Sequence, residues 1–235
     1  KEESFYRYCR SHNVYDFDEK FLSLIKSEII SDWETSNVSL ISSPYFSHGI
    51  DFLSKELLPK KIIILLPSAK RLLTSLKNKG WYENNLNIDI AKFQELPKWF
   101  KKKKNHFYGR MINFHNYNPK FDTLTQVGKI SLFISITLQK IYEQVQYFDK
   151  KKVLIFRLDE ADQNYIYCKN FIKKLDLELQ ISEKEFLKLK KRTSGSHENK
   201  EILLNEIEND EYNYFLKTFN YYENKILNEF DSRHI

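Results

Sequence analysis

At 235 residues, with 41% hydrophobic and 15% aromatic side chains, the chain can bury a real core as one large α/β domain, which excludes a disordered or low-complexity segment. Five glycines, five prolines and two cysteines (Cys9 and Cys168) disfavour glycine-rich repeats, disulfide scaffolds and cysteine zinc sites. The formal charge of +6 suits an anionic partner, whether phosphorylated nucleotide, acidic glycan or nucleic acid, without choosing among them.

In chain order, the acidic run Asp16-Phe17-Asp18-Glu19 precedes apolar residues at helical spacing, Phe21, Leu22, Leu24, Ile25, Ile29 and Ile30. "NVSLISS" (residues 37–43) reads as a short buried strand stopped by Pro44, and "GIDFLSKELL" (49–58) as an amphipathic helix. "KKIIILLPS" (60–68) is a second strand, a continuous aliphatic run of the kind buried on both faces of a parallel sheet. A helix follows, with Ser68 at its start and Gly80 at its end. Residues 84–122 are irregular, with their most basic part at "KWFKKKKNHF". Val127, Ile130, Ile134, Leu138, Ile141, Val145 and Phe148 then mark a long helix, which Phe133 and Ile136 on its other side predict to be central and well buried. The strand "KVLIF" (152–156), a helix near 163–175 and a last helix marked by Phe215, Phe219, Tyr222, Ile226 and Phe230 complete the series. This alternation predicts a single α/β domain whose central parallel sheet is flanked by helices.

After "KVLIF" the chain spells Asp159-Glu160-Ala161-Asp162, the letters with which one family of RNA helicases holds the magnesium of ATP. Such an ATPase needs an upstream G-x-x-x-x-G-K-[ST] loop to cradle the phosphates, and none of Gly49, Gly80, Gly109, Gly128 or Gly195 is followed by Lys-Ser or Lys-Thr. The four residues read instead as acidic residues leaving a strand and starting the next helix, where the helix dipole favours them.

Four segments taken together resemble another family. They are "LISSPYF" (40–46), "KKIIILLPSAKRLLTSL" (60–76), "KVLIFRLDE" (152–160) and "NFIKKLDL" (170–177). In this order they are similar to sulfotransferases that use 3′-phosphoadenosine-5′-phosphosulfate (PAPS), particularly bacterial types acting on glycans. The resemblance covers residues 37–195 and implies a P-loop-NTPase-like sulfotransferase topology, a sulfuryl transfer from PAPS to a hydroxyl of a glycan or small acceptor, and no metal.

Carried over residue by residue, the family's "R-x-P-x-x-R-x-x-S" helix implies phosphate ligands at Arg71, Thr74 and the adjacent Ser75, while its first arginine falls at Leu66. A solvated helix face explains Lys70 and Arg71 equally well. The family's base falls at Pro44, which cannot serve; His48 could take the role, against a structural histidine in a turn. "KLKKRTSGSH" (188–197) resembles the basic loop that closes over the 3′-phosphate, with Lys191 and Arg192 as candidates against a solvated loop. Asp159 stands where such a fold carries its post-strand acid. The 5′-phosphosulfate loop "P-K-[ST]-G-T-[ST]", expected ahead of the helix near Phe21, is not found after Lys1. That implies either a longer gene product or a degenerate relative that no longer binds PAPS.

Two other readings compete. A glycosyltransferase of bacterial surface-glycan synthesis would use a D-x-D for its metal, and Asp16-Phe17-Asp18 has the spelling but the position of a helix cap. A nucleic-acid-binding module would use "KWFKKKKNHFYGR" (98–110), whose interleaved aromatics and lysines also fit a basic surface loop; nucleic acid is the less favoured partner. No run of about 18 apolar residues offers a membrane span. The start, Lys1-Glu2-Glu3-Ser4, has no signal-peptide pattern, and with reduced thiols this predicts a cytoplasmic protein.

Overall fold

The computed structural model describes residue 50 and residues 58–78, 80–82, 117–194 and 210–231. The expected strand at 37–43, all but Ile50 and Leu58 of the helix at 49–58, His48, Asp16-Phe17-Asp18 and the basic run 98–110 lie outside the described residues.

What is described is mixed α/β: a two-stranded parallel sheet among mostly helical elements. Strand β1 (Ile62–Leu66) is an unbroken run of β-branched and leucine side chains, a composition suited to a pleated, covered surface. It pairs in parallel with β2 (Val153–Arg157), in a register running from Ile62↔Val153 to Leu66↔Arg157. Ile64, Leu66, Val153 and Ile155 are buried, whereas Leu65 is 49% exposed. The run that predicted burial on both faces is therefore covered chiefly on one, because helices crowd that side.

Helix α1 (Ala69–Asn78) leaves β1 through Pro67-Ser68. Ser68 is its cap: its Oγ accepts the Arg71 N–H at 3.4 Å and its carbonyl the Leu72 N–H at 3.1 Å. At the other end Gly80 takes φ 71°, and the Trp81 N–H closes back on the Leu76 carbonyl at 3.1 Å. That left-handed turn is the reason for a glycine there.

Helix α2 (Gln126–Val145) carries many β-branched residues, which favour helix weakly, so packing must hold it. Val127, Ile130, Ile134, Leu138 and Val145 enter the main core with β1, β2 and α1, while Leu132 and Ile136 form a second cluster with Phe215. Both faces are thus buried, as the pattern predicted. Short helix α3 (Leu158–Ala161) follows β2 directly, then α4 (Tyr165–Lys173), α5 (Glu183–Ser194) and α6 (Asp210–Phe230).

Helix α6 lies along α2 and puts Phe219, Ile226 and Phe230 into the main core. The approach is close: the Ser135 hydroxyl donates to the Phe215 carbonyl at 2.9 Å, and Gly128 faces Glu211. No helix among the described residues is long and apolar enough to cross a membrane.

Candidate functional site at the carboxyl edge of the parallel strands

Because β1 and β2 run parallel, both chains emerge from the same edge of the sheet, one into α1 and the other into α3. In open parallel sheets this carboxyl edge is where ligands are held. Here the two turns are tied to each other. Asp159 Oδ2 accepts the Ser68 N–H at 2.7 Å, so a carboxylate of the chain itself sits at the N-terminus of α1. Arg71 Nη1 donates to Asp159 Oδ1 at 3.4 Å and to Asp162 Oδ2 at 2.5 Å. On the same short helix Glu160 pairs with Arg157, Nη1 to Oε1 at 2.6 Å.

The cluster is open to solvent, with side-chain exposures of 39% for Arg71, 47% for Asp159 and 53% for Asp162. Glu223 adds a further carboxylate from α6, which packs against β2. Burial pushes the Glu223 carboxyl above the usual carboxylate range; the Arg157 guanidinium pulls it down and the Asp159 charge pushes it up. Tyr167 anchors the strand below, its hydroxyl accepting the Arg157 N–H at 2.7 Å. Burial also raises the Cys168 thiol, with the Asp162 charge adding to the effect, and its sulfur donates to the Ala161 carbonyl at 3.3 Å. That thiol packs α4 against α3 and is not poised as a nucleophile.

Of the residues proposed from sequence, Arg71 and Asp159 come together across 88 positions of chain. Thr74 and Ser75 lie one turn further along α1, half-buried and outside the ion-pair cluster. Leu66, at the position of the family's first arginine, is 4% exposed and belongs to the core, so it contributes nothing to a polar site. Lys191 and Arg192 do not lie in a loop: α5 continues to Ser194 and carries both in its last turn. Lysine and arginine favour helix, and Ser182 starts it firmly, donating its N–H to Glu185 Oε2 at 2.8 Å while its Oγ accepts the Glu185 N–H at 3.3 Å. His48 lies outside the described residues.

Asp162, Arg157 and Glu223 were not anticipated as members of the site. Asp162 had a signal, since it lies three residues after Asp159 and shares its helix face. Glu223 had none, because only the packing of α6 against β2 brings it there. Electrostatically, two arginines meet four carboxylates, so the described part of the edge is acidic and its cations are already engaged. Among the described residues no three His, Cys, Asp or Glu side chains gather as a metal ion would need. No family model, no curated protein and no solved structure matches the chain.

Proposed function

We propose that this chain is a sulfotransferase-like protein that holds PAPS at the carboxyl edge of the parallel sheet and passes its sulfuryl group to a hydroxyl of a glycan or small acceptor. The observation that supports the reading is the adjacency of β1 and β2. A strand entering an arginine-bearing helix and a strand ending in an acid, far apart in sequence, open on one edge. The same proposal carries the expected P-loop-NTPase-like sulfotransferase topology.

In such a transfer the acceptor oxygen attacks sulfur while the bond from sulfur to the 5′-phosphate oxygen breaks. 3′-Phosphoadenosine-5′-phosphate then leaves, and the acceptor proton goes to a base. Charge spreads over oxygens, so the protein acts by positioning and by cationic donors. Arg71 is the described donor; Thr74, Ser75, Lys191 and Arg192 are the further proposed phosphate ligands, and His48 the proposed base.

The test is thermal unfolding of the full chain with 3′-phosphoadenosine-5′-phosphate. At about a hundred times Kd the product should raise Tm by about 5–10 °C. Arg71→Ala, referenced to its own ligand-free Tm, should lose most of that shift. No shift at millimolar product overturns the reading, and stabilisation by a nucleotide sugar with Mn²⁺ instead would point to a glycosyltransferase.

A further inference from the structure

We propose that Asp162 is a latch on Arg71: its carboxylate occupies the guanidinium in the ligand-free protein, and an anionic ligand enters this edge only by taking its place. This concerns the regulation of the site just described and rests on that reading for the identity of the ligand.

The geometry separates the two carboxylates that Arg71 meets. Asp159 has its own anchor, the Ser68 N–H at 2.7 Å, and reaches Arg71 only at 3.4 Å. Asp162 has the tighter hold, 2.5 Å from the same Nη1. Among described residues no other guanidinium nitrogen of Arg71 is engaged, so the contact is single-pronged and leaves unused the fork that matches a phosphate bidentately. An exchange of carboxylate for phosphate would thus gain hydrogen bonds at Arg71 and free Asp162 to water.

The exchange is also easy. With Arg71 39% and Asp162 53% exposed, the pair is screened, and its loss exposes no uncompensated buried charge. Opening is therefore a local side-chain movement. Asp159 can stay on Ser68 and keep the two turns joined while Asp162 leaves. A second effect works in the same direction: while it sits on Arg71, the Asp162 carboxylate also repels an arriving anion.

The experiment measures binding of inorganic pyrophosphate and of 3′-phosphoadenosine-5′-phosphate to the full chain by titration calorimetry at one ionic strength. Wild type, Asp162→Asn and Glu160→Gln are compared. Both substitutions remove one negative charge from the turn after β2, but Glu160 is paired with Arg157. The latch requires Asp162→Asn to bind the anions about two- to fivefold tighter than wild type. Glu160→Gln should gain clearly less.

Equal gains from the two variants would reduce the effect to general electrostatics and overturn the latch. Weaker binding by Asp162→Asn would overturn it as well, showing that Asp162 positions Arg71 for the ligand. Absence of anion binding by wild type and Asp162→Asn alike overturns it too. The PAPS reading fails separately, if pyrophosphate binding tightens in Asp162→Asn while the adenosine compound binds no better than pyrophosphate.

Discussion

Replacing Gly128 with alanine tests how closely α2 and α6 approach, and the size of the effect follows from three contributions. A Cβ built on Gly128 would lie 2.7 Å from Glu211 Cδ and 3.2 Å from Glu211 Cβ, with a carboxylate oxygen nearer still. That carboxylate braces the start of α2 through its cap residue, accepting the Thr125 N–H at 3.1 Å and also the Thr125 hydroxyl. Thr125 Oγ itself caps the helix by accepting the Gly128 N–H at 3.1 Å. Gly128→Ala must therefore expel the Glu211 carboxylate, and loss of these charge-assisted hydrogen bonds costs about 1–2 kcal/mol. The remaining Cβ–Cβ approach costs about 1 kcal/mol, and the gain in helix propensity returns about the same. The single variant should be about 1–2 kcal/mol less stable than wild type, and Glu211→Ala should lose a similar amount through the lost Thr125 bonds alone. In the double variant the Glu211–Thr125 bonds are already gone, so alanine at 128 adds about zero. The double variant should fall about 1–2 kcal/mol below wild type, where independent sites would give about 2–4. Urea unfolding followed by circular dichroism reads this directly, and each kcal/mol corresponds to about 2–4 °C in Tm for a chain of this size. An additive double variant, or Gly128→Ala as stable as wild type, would refute the packing argument.

Two further predictions concern pH. The Glu223 carboxyl is raised in the folded protein, so the folded state binds its proton more tightly than the unfolded state does. Stability from this group is present at low pH and is lost as pH rises from the usual 4.5 through the raised value. Glu223→Gln should therefore be more stable than wild type at neutral pH, with the difference shrinking on acidification; an unchanged difference across the range would contradict the burial argument. The Tyr142 hydroxyl donates to Glu229 Oε1 at 2.7 Å, and that bond is the main reason its ionisation is pushed up to about 12. The contribution is intact below pH 10.0 and lost as pH rises toward about 12, so the stability difference between wild type and Tyr142→Phe should close over that window. At neutral pH the variant should be about 0.5–1.5 kcal/mol less stable in urea unfolding, and equal stability there would count against the bond.

What the sequence disclosed and what it hid differ in range. Ser68 before α1, Gly80 after it and the Val127-to-Val145 stripe are local signals, because caps, a left-handed glycine and a helical period act within a few residues. The same local logic could have placed Lys191 and Arg192 in a helix, since Ser182 and Glu185 spell a capping box; the family resemblance instead suggested a loop. The carboxyl edge is different in kind. The Ser68–Asp159 and Arg71–Asp162 bonds each span 91 positions, and their partners become neighbours only once β1 and β2 take their parallel register. Resemblance placed Arg71 and Asp159 as family positions, but it did not show that they would hold each other.

Asp159-Glu160-Ala161-Asp162 illustrates why the pairing matters. A single helical turn is far too short to persist alone, so α3 must be held by what it touches. Its spacing turns Asp159 and Asp162 to one side, toward Arg71, sends Glu160 to Arg157 and leaves Ala161 buried. All three carboxylates are thus committed to Arg71 in the first turn of α1 or to Arg157 at the end of β2. The acidic letters that invite comparison with a metal-binding ATPase act here as fasteners between two βα turns. Removing Arg71 takes away both of its contacts to this turn, whereas removing Asp162 alone releases its hold on the guanidinium and keeps Asp159 on Ser68. The carboxylate variant therefore separates ligand competition from structural support, which the arginine variant cannot do by itself.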